Sequence, residues 1–564
     1  MRISARSTVP AALAVALTLL PTANCAGLPQ PRLHHDAAPP AEPSSPAVFP
    51  FLKWLRDSAV EVVFGKPSYK PKTRVPAATI RSRYSNDVVI RFNVTSSEEE
   101  GALARATEQM VLDVWAFTPD FVDIRLDKDD VPALLTLLPK SLEPSVLIPD
   151  VADAVWATFP STSPEDDLLE STFAKAAKSR RPVDGVGDIF FQNFQPLPVI
   201  TSWLRLLEAM FPSIVNMTSI GKSYEKRDIY ALRVGANTNA SDLNNPRKTI
   251  LITGGVHGRE WISTSSVNYL LWSVVTLYDN EPLITKLLSE FDLVFIPVVN
   301  PDGYEYTWET DRLWRKSRQL TKVRPCRGID LDHAFGYGWD AIERETDPCS
   351  ESYGGEKPFQ ATEASRLAEW AKKETDNGTQ LVALLDLHSY SQQILYPYAY
   401  TCSVNPPNFE NLVELAVGLA KAIRLSSGET YTVSSACEGA VARAHSASNS
   451  LTRVETSGGA AIDWFYHNLK TRYSYQIKVR DTGSYGFLLP SDQIVPTGEE
   501  MLSAFKYLGD FLLGNNGIEG PLWEQPSRHG NDLRRRRRIR SEVKGDPVAP
   551  PNMDQCVIQV NSES

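Results

Sequence analysis

The stretch KTILITGGVHGREW, Lys248–Trp261, decides the fold. Thr249 to Thr253 is an apolar, β-branched run of strand length, and Gly254-Gly255 breaks it. His257 and Glu260 then stand on the loop that leads into a helix-patterned stretch. At such a turn, His-x-x-Glu spacing can bring an imidazole and a carboxylate to one ion. On its own the motif is weak, because surface His-x-x-Glu pairs are common.

Further apolar runs follow downstream: FDLVFIPVVN (291–300), LVALLDLHSYS (381–391) and YSYQIKV (473–479). Helix-patterned segments separate them. This alternation predicts one large α/β domain over 186–515, with a mixed central sheet flanked by helices. Ligands of such sheets bind beyond the carboxyl ends of the strands. His388 ends one of these strands much as His257 follows another, and the chain has only eight histidines. His257, Glu260 and His388 together form the three-ligand set that a catalytic zinc uses, with a fourth position open for water. In YSYQIKV, Tyr473, Tyr475, Ile477 and Val479 share one face; Ser474, Gln476 and Lys478 share the other. Taken alone, Lys478 reads as a solvated residue on a strand edge.

Upstream, residues 71–160 alternate short strands and helices and predict a small α/β open sandwich. Its helix over SSEEEGALARATEQMVL opens with a Ser-x-x-Glu cap signature. Residues 1–25 carry a basic start, a short apolar run and small residues at Ala23-Asn24-Cys25, the pattern of a signal peptide. Residues 26–70 read as a Pro-rich linker. Residues 161–185 form a polar connector with a possible processing site at Arg180-Arg181. Residues 516–564, including the basic run Arg534–Arg540, read as a disordered tail. No stretch is long enough to span a membrane, and a formal net charge of −10 argues against nucleic acid as a partner. A secretory route is expected, ending outside the cell or in the vacuole.

The six cysteines fit that compartment. Cys25 and Cys556 lie in the terminal segments. Cys326, Cys349, Cys402 and Cys437 remain, and sequence alone leaves all their pairings open. Neighbouring pairs, 326–349 and 402–437, are the simplest, each contributing about 3–4 kcal/mol. Sequons at Asn93, Asn216, Asn239 and Asn377 are compatible with glycosylation.

In order and spacing, His257-Gly258-Arg259-Glu260, NPDGYEYTWETDRLWRKSR, HSYSQ with LYPY, IDW and VRDTG resemble the metallocarboxypeptidases of the carboxypeptidase A/B type. The resemblance covers about 190–515, and the preceding sandwich resembles their inhibitory propeptide, here carried in cis. It implies one zinc held by His257, Glu260 and His388, with Asp330 orienting an imidazole. It implies substrate contacts at Arg259, Arg315, Ser389, Tyr390 and Ile462. It also favours the Cys326–Cys349 bridge, whose loop holds Asp330.

The departures bear on activity. Where the family has Asn and Arg to grip the substrate's terminal carboxylate, this chain has Asp332 and His333. Where the family has the glutamate that takes the proton from zinc-bound water, this chain has Lys478. A charged ammonium has no lone pair for that proton. The resemblance is closest to a fungal group of inactive carboxypeptidase-like proteins linked to cell-wall and extracellular-matrix organisation. Peptides or cell-wall proteins are the partners it implies. One alternative is an active zinc hydrolase of atypical specificity, with a neutral Lys478 or Glu455 as base. Another is a non-catalytic scaffold or peptide-binding module.

Overall fold

A computed structural model of the chain describes residues 77–160 and 187–515, less 111, 119, 188, 237–246, 341–344 and 439–457. The expected signal peptide, linker, connector and tail lie outside the described residues, as do Asn239 and Glu455.

The first region runs α1 (Ala77–Tyr84), β1 (Asp87–Asn93), α2 (Ser97–Gln109), β2 (Asp113–Phe117), β3 (Phe121–Asp127), α3 (Val131–Leu137), β4 (Pro144–Ile148) and α4 (Val151–Ala157). The Ser96 side chain accepts from the Glu99 N–H, and Glu99 answers at the Ser96 backbone, so the capping box sets the start of α2. The strands pair antiparallel in the order β2-β3-β1-β4. Strand periodicity gives this sheet two buried faces. Val88, Ile90 and Phe92 pack with Leu103 and Leu134 in the sandwich's own core. Val89 and Trp115 point the other way, into a cluster with Leu313, Tyr390 and Phe487 of the second region.

That region continues with α5 (Leu197–Met210), β5 (Val215–Lys222), β6 (Asp228–Val234), β7 (Arg247–Thr253), α6 (Trp261–Leu277), α7 (Pro282–Glu290), β8 (Phe291–Ile296) and α8 (Pro301–Glu309). It ends with α9 (Thr362–Asp376), β9 (Thr379–Ser389), β10 (Gln393–Tyr396), α10 (Phe409–Ser427), β11 (Thr432–Ser435), α11 (Ala461–Asn468), β12 (Tyr473–Val479) and α12 (Ile494–Leu512). The sheet is mixed, in the order β11-β10-β12-β9-β7-β8-β6-β5. Its β12-β9-β7-β8 centre is parallel. Ile250 and Ile252 of β7 face one core, and Leu251 faces the other. Helices therefore cover both faces, as the apolar strands require.

β12 lies between β10 and β9. Its polar side is thus no wet edge: Ser474 and Gln476 are buried, and only Lys478 is half-exposed. The bridges Cys326–Cys349 and Cys402–Cys437 are both formed. Asn93, Asn216 and Asn377 are exposed. Among the described residues, no helix is long and apolar enough to cross a membrane.

The sandwich is fastened to the large region by its last turn. Phe159 sets its ring edge-on to both Trp261 and Trp308, at 5.3 and 5.7 Å. Arg312, fully buried over the face of Trp261, donates to Thr158 Oγ1 at 3.2 Å and to the carbonyls of Arg259 and Phe487. Burial pushes the Arg312 guanidinium down to about 9.

Away from this contact, α9 begins with a fully buried carboxyl. Glu363 accepts the Tyr224 N–H at 3.0 Å and lies beside Asp302, which accepts from Ser223, the Glu225 N–H and Arg227. Burial first, and Asp302 in addition, push Glu363 up to about 7. The folded pKa lies above the unfolded one of about 4.5. The protonated carboxyl therefore contributes stability that is complete below pH 4.5 and is lost as pH rises through about 7. Glu363→Gln carries its own donor toward Asp302, so its stability should vary less over this window. The gap between wild type and variant, by calorimetry or urea unfolding, should shift by about 2–3 kcal/mol in the variant's favour from pH 4.5 to 8.

Candidate metal centre

Between β7 and α6 the chain turns at Gly255, which has φ +59°; a Cβ there would lie 2.7 Å from Thr264 Oγ1 and 3.0 Å from the Pro297 carbonyl. A Cβ on Gly258 would lie 2.7 Å from the Gly303 backbone. This tight path explains the glycines around His257. It also leaves Glu260 as the N-cap of α6, beside the end of β9. Parallel pairing of β9 with β7 and β12 brings His388 to the same place.

The two imidazoles use equivalent atoms. His257 Nδ1 is 2.8 Å from Glu260 Oε1, and His388 Nδ1 is 3.1 Å from Glu260 Oε2. The opposite nitrogens meet carboxylates: His257 Nε2 is 2.9 Å from Asp330 Oδ1, and His388 Nε2 is 3.3 Å from Asp386 Oδ2. Nδ1 of each ring therefore faces the other, with Glu260 between them, and donor atoms of the three residues lie within 4.8 Å of one another. Two imidazoles and a carboxylate, all buried, make a donor set that fits zinc. Burial raises the Glu260 carboxyl, but His257 and His388 outweigh it and hold it well below the carboxylate range.

Asp330 is the hub on one side. Besides His257 it accepts two hydrogen bonds from Arg315, at 3.1 and 2.8 Å, and one from His333 Nδ1 at 2.8 Å. Burial opposes its ionisation, yet Arg315, His257 and His333 keep its carboxyl far below the usual value. Asp330 in turn raises His333 against the effect of burial. Asp386 is the hub on the other side. Thr253 Oγ1 donates to its Oδ1 at 2.6 Å.

The cavity above the donor set is lined by Arg315, Asp332, His333, Ser389, Tyr390, Ile462 and Lys478. Lys478 stands in register with His388 on the neighbouring strand, so both side chains leave the sheet on the same side. Asp332 accepts from Gln476 Nε2 at 2.6 Å. Arg259 is one cleft residue of the sequence reading that does not line the cavity. It is buried over the Phe487 ring and donates to Asp113 of the sandwich at 3.0 Å. Tyr390 likewise gives its hydroxyl to Asp123 of the sandwich at 2.8 Å, and Trp115, Ala116 and Phe117 line part of the cavity.

Sequence reading missed Asp386, Gln476, Asp113 and Asp123. Asp386 did leave a trace: a lone carboxylate inside an apolar strand, two residues before His388.

Sheet order, donor set and sandwich together define a carboxypeptidase-type zinc hydrolase framework. The zinc carboxypeptidase family profile matches residues 200–504, and the chain belongs to that family. An inactive metallocarboxypeptidase ecm14 of Sclerotinia sclerotiorum is 54% identical over 493 residues, covering 84% of this chain and 82% of the relative. An inactive metallocarboxypeptidase ECM14 of Blastomyces gilchristii is 47% identical over 544 residues, 93% of this chain and 90% of the relative. Among solved structures, thrombin-activatable fibrinolysis inhibitor matches with TM-score 0.62 at 27% identity, over 76% of this chain and all of that one. Carboxypeptidase A of Helicoverpa armigera matches with TM-score 0.62 at 25% identity, over 77% and 99%.

The geometry predicts about one zinc per chain. His388→Ala should abolish binding, and Asp386→Asn should weaken it roughly 10- to 100-fold by removing the negative charge beside the His388 ring. Titration against a metal buffer measures both. An Asp386→Asn affinity equal to wild type would remove Asp386 from the site.

Proposed function

We propose that this protein is a secreted, zinc-binding carboxypeptidase-like pseudoenzyme. The observation that carries the reading is Lys478 beside His388 in the cavity, where the family resemblance puts the glutamate base. Peptide hydrolysis needs a group that takes a proton from the metal-bound water and later gives one to the leaving amine. A lysine ammonium is a donor without an acceptor site. Among the described residues of the cavity, Glu260 and Asp332 are the carboxylates. Glu260 belongs to the donor set, and Asp332 is held by Gln476.

Substrate binding is altered as well. Asp332 puts negative charge where a terminal carboxylate would dock, and His333 is turned to Asp330. Arg259 and Tyr390, two of the five further substrate contacts that the resemblance implies, are engaged by carboxylates of the sandwich. The names of the relatives support inactivity. A role in cell-wall organisation, reached through secretion or the vacuole, follows from the same resemblance. So does a partner that is a peptide or a wall protein.

Lys478→Glu alone should leave peptidase activity at background, although a base in an intact site is worth roughly 10²–10⁴-fold. Adding Asp332→Asn and His333→Arg, with residues 27–181 removed, should give measurable release of a C-terminal residue from blocked dipeptides. Zinc-dependent turnover by the wild type would overturn the reading.

A further inference from the structure

The cavity carries opposite charges on one wall and an apolar patch on another. Gln476 and Lys478 are alternate residues of β12, on the same face and so about 6.5 Å apart along the strand. The Asp332 carboxylate is fixed to the Gln476 amide at 2.6 Å and is half-buried. Lys478 lines the same cavity, and among the described residues no carboxylate lies within ion-pair distance of it. His333 Nδ1 is bonded to Asp330 and not to Asp332, and donor atoms of Asp332, Asp386 and His388 lie within 4.8 Å of one another.

Leu395, Ala399, Ala436, Ala460 and Ile462 form a small apolar cluster of their own, and all five line this cavity. Each is nearly inaccessible to water, with Ile462 1% exposed. Trp115, Ala116 and Phe117 of the docked sandwich also line the cavity.

We infer that the cavity is a binding site for a free α-amino acid with an apolar side chain, its carboxylate on Lys478 and its ammonium on Asp332. Each charge of the amino acid takes one charge-assisted hydrogen bond of about 2.8 Å. The side chain lies against the Leu395–Ile462 cluster. This reverses the polarity that an Asn/Arg clamp imposes, since the ammonium now occupies the clamp position. A metal at His257, Glu260 and His388 would add positive charge on the carboxylate side. The inference rests on the zinc-binding, inactive reading.

The test is calorimetric titration of the zinc-loaded full chain with L-phenylalanine, N-acetyl-L-phenylalanine and L-phenylalanine amide. Peptidase activity is assayed on the same sample. Phenylalanine should bind saturably, and removing either charge should weaken binding at least about tenfold, the worth of one charge-assisted bond. Lys478→Met should erase the preference for the free carboxylate while keeping that for the ammonium. Asp332→Asn should do the converse. Equal or tighter binding of the N-acetyl compound, or no saturable binding by phenylalanine, overturns the inference. Turnover on the same sample would instead strike at the inactive reading.

Discussion

A line of buried ionisable side chains, Arg315–Asp330–His257–Glu260–His388–Asp386, runs across the carboxyl ends of the central strands. Burying any one of these groups alone would cost several kcal/mol. Each is tolerated because its neighbour has the opposite charge or an opposite hydrogen-bonding role. The glycine turn before His257, the parallel pairing of β7, β9 and β12, and the loop closed by Cys326–Cys349 all serve to keep this line in order. Changes outside the line are cheaper. Lys478, Asp332 and His333 line the cavity beside it, outside the donor set.

The donor set was legible because its residues stand at the ends of strongly apolar strands, where chain breaks and polar residues coincide. The same contrast exposed the sandwich and its capped helix. Asp386 was less legible, since a strand pattern cannot tell a buried carboxylate with a partner from one that faces solvent. Its meaning depends on His388 and on Thr253 of the adjacent strand. Lys478 was misleading for the opposite reason. Alternation suggested a wet face, but β12 lies inside the sheet and both its faces are covered. The contacts of Phe159, Asp113 and Asp123 join residues far apart in sequence, and no local pattern announces them.

The sandwich and the altered cleft act on the same groups. Asp113 satisfies Arg259, Asp123 satisfies Tyr390, and Trp115 packs on Phe487 at 5.1 Å. The sandwich thus occupies two residues for which the family resemblance implies substrate contacts, and Asp332 and Lys478 bring opposite charges to the cavity lining. In a working peptidase these would be two separate obstacles. Here they frame a polarised cavity above the candidate metal centre.

The central claim is that the zinc donor set is retained and the proton acceptor is lost. The most direct test pairs zinc content with hydrolysis of an ester analogue in one sample, with and without the sandwich. An ester needs no protonated amine to leave, so it isolates the first proton transfer. The expected result is about one zinc per chain, with ester turnover no faster than that of the metal-stripped protein. Zinc-dependent ester turnover, in either form, would contradict it.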